Sequence, residues 1–129
     1  MKRHEIEFLW AWFDALRRGD TDAMAAALDP GVVWQGIRED LVCKGPEDVV
    51  ATFVSGYDAY QEIDSLELLG GEHRIVLGVR ATDLGEINGV EIDGEIYNVF
   101  TLENQKITRI EDYLRRDDAL AAAGVSGAS

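Results

Sequence analysis

Asn98 and Asp112 are polar residues on two stretches that are otherwise patterned for burial. Residues 91–102 and 106–114 read as strands joined by Glu103-Asn104-Gln105, which makes an antiparallel hairpin. A turn centred near Asn104-Gln105 sets Asn98 opposite Glu111 or Asp112. Side chains alternate along a strand, so Ile96, Asn98, Phe100 and Leu102 share one face. Ile110, Asp112 and Leu114 share one face of the next strand, while Glu95, Glu103, Arg109 and Glu111 take the opposite faces. A polar group on an apolar face costs free energy unless it is paired. Two readings stay open: a polar pair at a sheet end satisfied by its own hydrogen bonds, or a pair inside a pocket. In a pocket, burial raises the pKa of the Asp112 carboxyl, which can then take a proton from carbon beside a carbonyl or return one. Asn98 cannot act as an acid or base; it can orient a substrate or a water.

Other side chains are candidates for the walls of such a pocket. Trp12, Trp34, Tyr57 and Phe100 are apolar enough, and Gln35 adds a polar contact, although aromatics at helical and strand spacing also serve as plain core. Arg74 and Arg80 share a strand face, expected to be the outer one, where they would pair with surface acids. His4 and His73 lie at a terminus and beside a turn, where solvent exposure is the default. Cys43 is the single cysteine, which excludes an internal disulfide and a cysteine-rich zinc site; it reads as a small buried apolar residue. There is no glycine-rich phosphate loop, metal-spaced cluster or nucleophile elbow, so no cofactor or metal is expected.

The elements that must position these residues follow from periodicity. Ile6, Leu9, Trp10, Phe13 and Leu16 recur at spacings of three and four, a helix over about 4–18, and Phe8, Trp12 and Ala15 widen its apolar arc. Gly19 ends it, and Asp20 or Thr21 caps an alanine-rich second helix over 22–28 that Pro30-Gly31 stops. Val32–Gln35 and Leu41–Lys44 read as short strands. Gly45-Pro46-Glu47-Asp48 starts a third helix, whose buried face is Val49, Val50, Phe53, Val54 and Tyr57. Strands over 63–69 and 74–82 follow, turning at Gly70-Gly71; 85–94 reads as a connection, and 117–123 as a closing helix. Helices first and antiparallel strands second is an α+β arrangement.

The bulk composition bounds the rest. The chain has 129 residues, one domain over 1–123 with a frayed tail at 124–129. Hydrophobic residues at 47% allow a real core. A formal charge of −13 repels phosphate backbones and anionic membrane surfaces, so neither nucleic acid nor membrane is an expected partner. No apolar stretch approaches membrane-spanning length, no signal-peptide apolar region follows Met1-Lys2-Arg3-His4, and a reducing cytoplasm fits the cysteine count. Tyr97, Val99, Thr101 and Tyr113 would lie among charges on the outer sheet face, which suggests a homodimer.

The order of pieces resembles the SnoaL-like branch of the NTF2-like superfamily. Leu28-Asp29-Pro30-Gly31-Val32-Val33-Trp34 is similar to that family's exit from helix into first strand, and Gly45-Pro46-Glu47-Asp48-Val49-Val50 to its third-helix start. Gly89-Val90-Glu91-Ile92, Asn98–Leu102 and Lys106–Arg109 resemble its long paired strands, and 117–124 its C-terminal helix. The resemblance implies a cone: a strongly curved antiparallel sheet with three N-terminal helices on the concave side, holding a small hydrophobic molecule. It also implies, for a polyketide-cyclase-like member, a His and an Asp on the paired strands. Asp112 matches the Asp, and Asn98 stands where the His would be. Ketosteroid-isomerase-like chemistry would need ionisable groups at Gln35, Trp12 and Asn98. An epoxide-hydrolase-like Asp–Arg–Asp set would use Asp112 and Arg74 but finds Val76 at the second Asp. The implied activity is a cofactor-free lyase, isomerase or hydrolase on a small apolar oxygenated substrate, with a non-catalytic binding or dimeric interaction domain as the rival.

Overall fold

The computed structural model describes residues 2–37, 40, 42–56, 65–70, 73–80, 86–87, 90–91 and 94–124. Along the chain run α1 (Lys2–Arg18), α2 (Thr21–Ala26), β1 (Leu28–Gln35), β2 (Val42–Lys44), α3 (Pro46–Gly56), β3 (Ser65–Gly70) and β4 (Arg74–Arg80). Then follow β5 (Glu86–Ile87), β6 (Val90–Glu91), β7 (Glu95–Glu103), β8 (Lys106–Tyr113) and α4 (Arg116–Ala123). Six strands form one curved, unclosed sheet in the order β2-β1-β8-β7-β4-β3. This is the expected α+β architecture. The two strands that carry Asn98 and Asp112 are the central pair.

All neighbours in this sheet pair antiparallel except β1 and β8, which run parallel, a departure from the all-antiparallel expectation. The β1–β8 register shifts between Leu28 and Val33. Asp29 Oδ2 accepts the Gly31 N–H at 2.8 Å there, and Pro30 has no N–H to give to the ladder. Pro30-Gly31 was expected to separate a helix from a strand. Instead the strand starts at Leu28, inside the stretch assigned to the second helix, and the Pro-Gly step is absorbed as an irregularity within it. α2 ends at Ala26 and is capped by Asp20, whose Oδ1 accepts the Ala23 N–H at 3.1 Å. The strand expected over 91–102 is also divided. Gly94, with φ 75°, precedes β7, and Glu91 belongs to a separate ribbon of β5 and β6 inside the expected connection.

The three N-terminal helices share one apolar core with the concave sheet face. Leu9, Trp12 and Leu16 of α1, Met24 of α2 and Phe53 of α3 pack with Leu77, Ile96, Phe100 and Ile110. The buried line of α1 runs through Leu9, Trp12 and Leu16, whereas Trp10, placed by sequence on the main stripe, is 48% exposed. The wide apolar arc of α1 admits either tryptophan as the inner one by periodicity, and packing against Phe53 and Phe100 selects Trp12.

The convex face differs from expectation. Val76, Tyr97 and Val99 are fully buried beneath Ala119, Leu120 and Ala123 of α4. Tyr97 and Val99 therefore do not form the exposed apolar surface from which a homodimer was inferred; the chain covers them itself. Arg116 Nε at one end of α4 sits 3.0 Å from Glu67 Oε1, and Arg74 donates to the Ala122 carbonyl at the other end, 2.6 Å away. Gly78 lies under Tyr97, and a Cβ there would come within 2.9 Å of the ring, so the residue has no room for a side chain. No helix among the described residues is long and apolar enough to cross a membrane.

Candidate functional site

The site is built across three adjacent strands. In the β7–β8 hairpin, Asn104 and Gln105 form the turn with φ of 52° and 61°, the left-handed pair that a two-residue hairpin turn requires. Counted straight from that turn, Glu103 faces Lys106 and Leu102 faces Ile107. The register then shifts, and Thr101 faces Arg109, with Thr108 as the extra residue. From there Phe100 faces Ile110 and Asn98 faces Asp112. The bulge thus decides between Glu111 and Asp112, the two alternatives left by the sequence. It sets the two polar side chains directly opposite each other on the concave face.

Asp112 Oδ1 accepts two hydrogen bonds, from Asn98 Nδ2 at 2.5 Å and from Trp34 Nε1 at 2.7 Å. Its other oxygen, Oδ2, has no hydrogen-bond partner among the described residues. Asn98 is the buried polar residue of the described core, 1% exposed. Burial pushes the Asp112 carboxyl up to about 7, against the pull of the two donors, Trp34 and Asn98, which favour the charged form. The residue retains some exposure, yet its carboxyl group is surrounded closely enough for desolvation to dominate.

An aromatic cluster stands over the pair. Phe53 stacks on Trp34 with ring centroids 4.4 Å apart and planes 20° from parallel. Trp12 meets Phe53 edge-on at 4.9 Å and Phe100 at 5.9 Å. Phe13 approaches Phe100 at 5.9 Å. Trp12 gives its indole N–H to the Met24 carbonyl at 3.1 Å, which holds the ring in the core.

The structure brings together Asp112, Asn98, Trp34, Phe100 and Trp12 of the residues singled out by sequence. Gln35 does not join them. It follows Trp34 in β1, so alternation turns it to the other face, in register with Glu111, and its Nε2 donates to the Gly36 carbonyl at 3.3 Å. Leu114, expected beside Ile110 and Asp112, lies beyond the end of β8 and is 37% exposed. Tyr57 lies outside the described residues. Arg74 and Arg80 take the convex side as expected: Arg74 reaches α4, and Arg80 Nε lies 3.4 Å from Glu95 Oε2. Arg74 is therefore no partner for Asp112, and the Asp–Arg–Asp arrangement is not assembled here. Cys43 is half-buried, with Sγ 3.2 Å from Thr52 Oγ1. Among the described residues no cluster of His, Cys, Asp and Glu could hold a metal ion. Sequence reasoning treated Phe53 as core only. Its spacing in α3 signalled burial, and nothing local signalled that Trp34 would be its stacking partner.

A curved, unclosed sheet with helices on its concave face is the cone-shaped architecture of NTF2-like folds. Residues 10–110 match the SnoaL-like domain family, and the chain belongs to it. The match covers Trp12, Trp34, Phe53, Asn98 and Phe100 and stops short of Asp112. Among solved structures, a proposed SnoaL-like polyketide cyclase from Jannaschia sp. CCS1 is 15% identical, with a TM-score of 0.65, covering 98% of this chain and 95% of that one. An NTF2-like protein from Burkholderia xenovorans LB400 is 18% identical, with a TM-score of 0.64 and coverage of 95% and 97%. A de novo designed protein with a curved β-sheet is also similar, at 18% identity and a TM-score of 0.61, over 96% of each chain. At these identities the likeness is one of fold, and a fold alone assigns no chemistry. No curated protein sequence matches the chain.

Proposed function

We propose that the concave face binds a small, apolar, oxygenated molecule and that Asp112 moves a proton on it without a cofactor, in a lyase, isomerase or hydrolase reaction. The observation that supports this most is the state of the carboxylate. Both neighbouring donors are committed to Oδ1, while Oδ2 has no partner among the described residues and burial pushes the carboxyl up to about 7. A general base works best when its pKa lies near the working pH. In the step proposed, Oδ2 takes a proton from a carbon beside a carbonyl. The electron pair of the broken C–H bond forms the enolate, the proton held on Oδ2 exchanges with solvent, and Oδ2 then returns a proton to carbon or oxygen. Asn98 does not ionise and holds the carboxylate through its amide N–H. The likeness to a proposed polyketide cyclase is compatible with such enolate chemistry. A second reading, binding without turnover, draws on the un-ionisable Asn98 at the position paired with Asp112.

The test is solvent exchange. In deuterated buffer, an apolar ketone that the protein binds is expected to acquire deuterium beside its carbonyl, followed by proton NMR. The rate rises about tenfold per pH unit below pH 7 and levels above it, as the base form of Asp112 fills. Asp112→Asn is expected to abolish the exchange while leaving binding intact. Exchange that survives in that variant removes Asp112 from the chemistry, and binding with no exchange in the unsubstituted protein selects the second reading.

A further inference from the structure

We infer that Trp34 is a positioning residue: its indole N–H, held by the Phe53 ring stacked on it, commits Asp112 Oδ1 and leaves Oδ2 as the oxygen that meets a bound molecule. The inference rests on Asp112 being the acid/base and assigns to a second strand and a helix the task of orienting it. Trp34 lies on β1, the parallel neighbour of β8, in register with Ile110. Its side chain reaches two residues further along β8 to bond Asp112 at 2.7 Å, a contact between residues 78 apart in sequence. The ring is 6% exposed and stacked at 4.4 Å on Phe53, so the N–H has little freedom to turn away.

The other buried tryptophan shows what a merely satisfied indole looks like. Trp12 donates to a backbone carbonyl, that of Met24, and not to a titratable group. Trp34 instead donates to a carboxylate that already accepts from Asn98, and to the same oxygen. A pair serving only to satisfy a buried acid has two oxygens available to it. Two donors from two different strands converging on one oxygen fix the plane of the carboxyl group and differentiate its oxygens. A hydrogen bond from a neutral donor also favours the charged form, so Trp34 keeps the base available at neutral pH.

The experiment uses the unsubstituted protein first. The chain has three tryptophans, hence three indole N–H signals in a proton–nitrogen correlation spectrum. Between pH 5 and 9 the Trp34 signal is expected to move with the midpoint of the Asp112 carboxyl carbon, and the Trp12 signal to stay fixed. Trp34→Phe keeps a ring to stack on Phe53 and loses the donor. In it the Asp112 midpoint is expected to rise by about one pH unit, the worth of one hydrogen bond to a charged group. The pH profile of solvent exchange should move with it. A Trp34 signal indifferent to pH, or a midpoint unchanged in folded Trp34→Phe, overturns the inference. If that variant does not fold, the indole titration of the unsubstituted protein decides alone. Failure of the acid/base reading looks different: Trp34 still follows the Asp112 titration, but Asp112→Asn loses no activity.

Discussion

Asp112→Asn is expected to stabilise the protein above pH 7 and to have no such advantage near pH 4. The Asn side chain keeps an Oδ1 that can accept from Trp34 and Asn98, and it removes a charge that burial disfavours. The sign follows from proton binding. The folded-state pKa of Asp112 is raised, to about 7 from an ordinary 3.8, so the native chain binds more protons than the unfolded chain between those values. Stability therefore falls as pH rises through that window, and the full penalty is present above 7. At about 1.36 kcal/mol per pH unit the penalty has an upper limit of about 4 kcal/mol. Chemical denaturation of both proteins at pH 4 and pH 8 measures the difference. A gain at pH 8 that disappears at pH 4 is the expected outcome, and a variant less stable than the parent at pH 8 contradicts it. Such a gain, joined to lost proton transfer, is the usual trade between stability and a functional charge.

Phe53→Ala is expected to cost about 3–5 kcal/mol, the range for deleting a well-packed aromatic side chain. Phe53 is 3% exposed, stacks on Trp34 at 4.4 Å and meets Trp12 edge-on at 4.9 Å. Alanine is the better helix former, so α3 itself is not the source of the loss. The urea midpoint should fall with little change in slope. The gap opens beside Trp34, and water entering there should draw the Asp112 pKa down toward its ordinary value. A cost below about 1 kcal/mol would mean that the aromatic cluster does not close over the carboxylate.

How far the site was legible in the sequence depends on the distance over which each feature is determined. The face shared by Ile96, Asn98 and Phe100 follows from alternation within one strand, and the structure keeps it. The pairing of Asn98 with Asp112 needed the bulge at Thr108, which no residue type there announces. The family match and the element order agree with the sequence reading of the fold, because order and apolar period are local properties. The bond from Trp34 to Asp112 depends on β1 lying parallel to β8, a pairing across most of the chain with no local trace. Gln35 shows how sensitive such readings are: one residue of parity separates it from the Trp34 face. The convex face was misread for a similar reason. Tyr97 and Val99 sit among charges in the sequence, and only the fold brings the alanine-rich α4 down upon them.

The most direct measurement is the titration of the Asp112 carboxyl carbon by carbon-13 NMR in the unsubstituted protein, assigned by its absence in Asp112→Asn. A midpoint near 7 is the result expected of a desolvated carboxylate held by Trp34 and Asn98 on the concave face. A midpoint near 4, the ordinary value for an aspartate in water, would contradict it: the carboxylate would then be hydrated, and Asp112 would be an ordinary polar residue of the sheet.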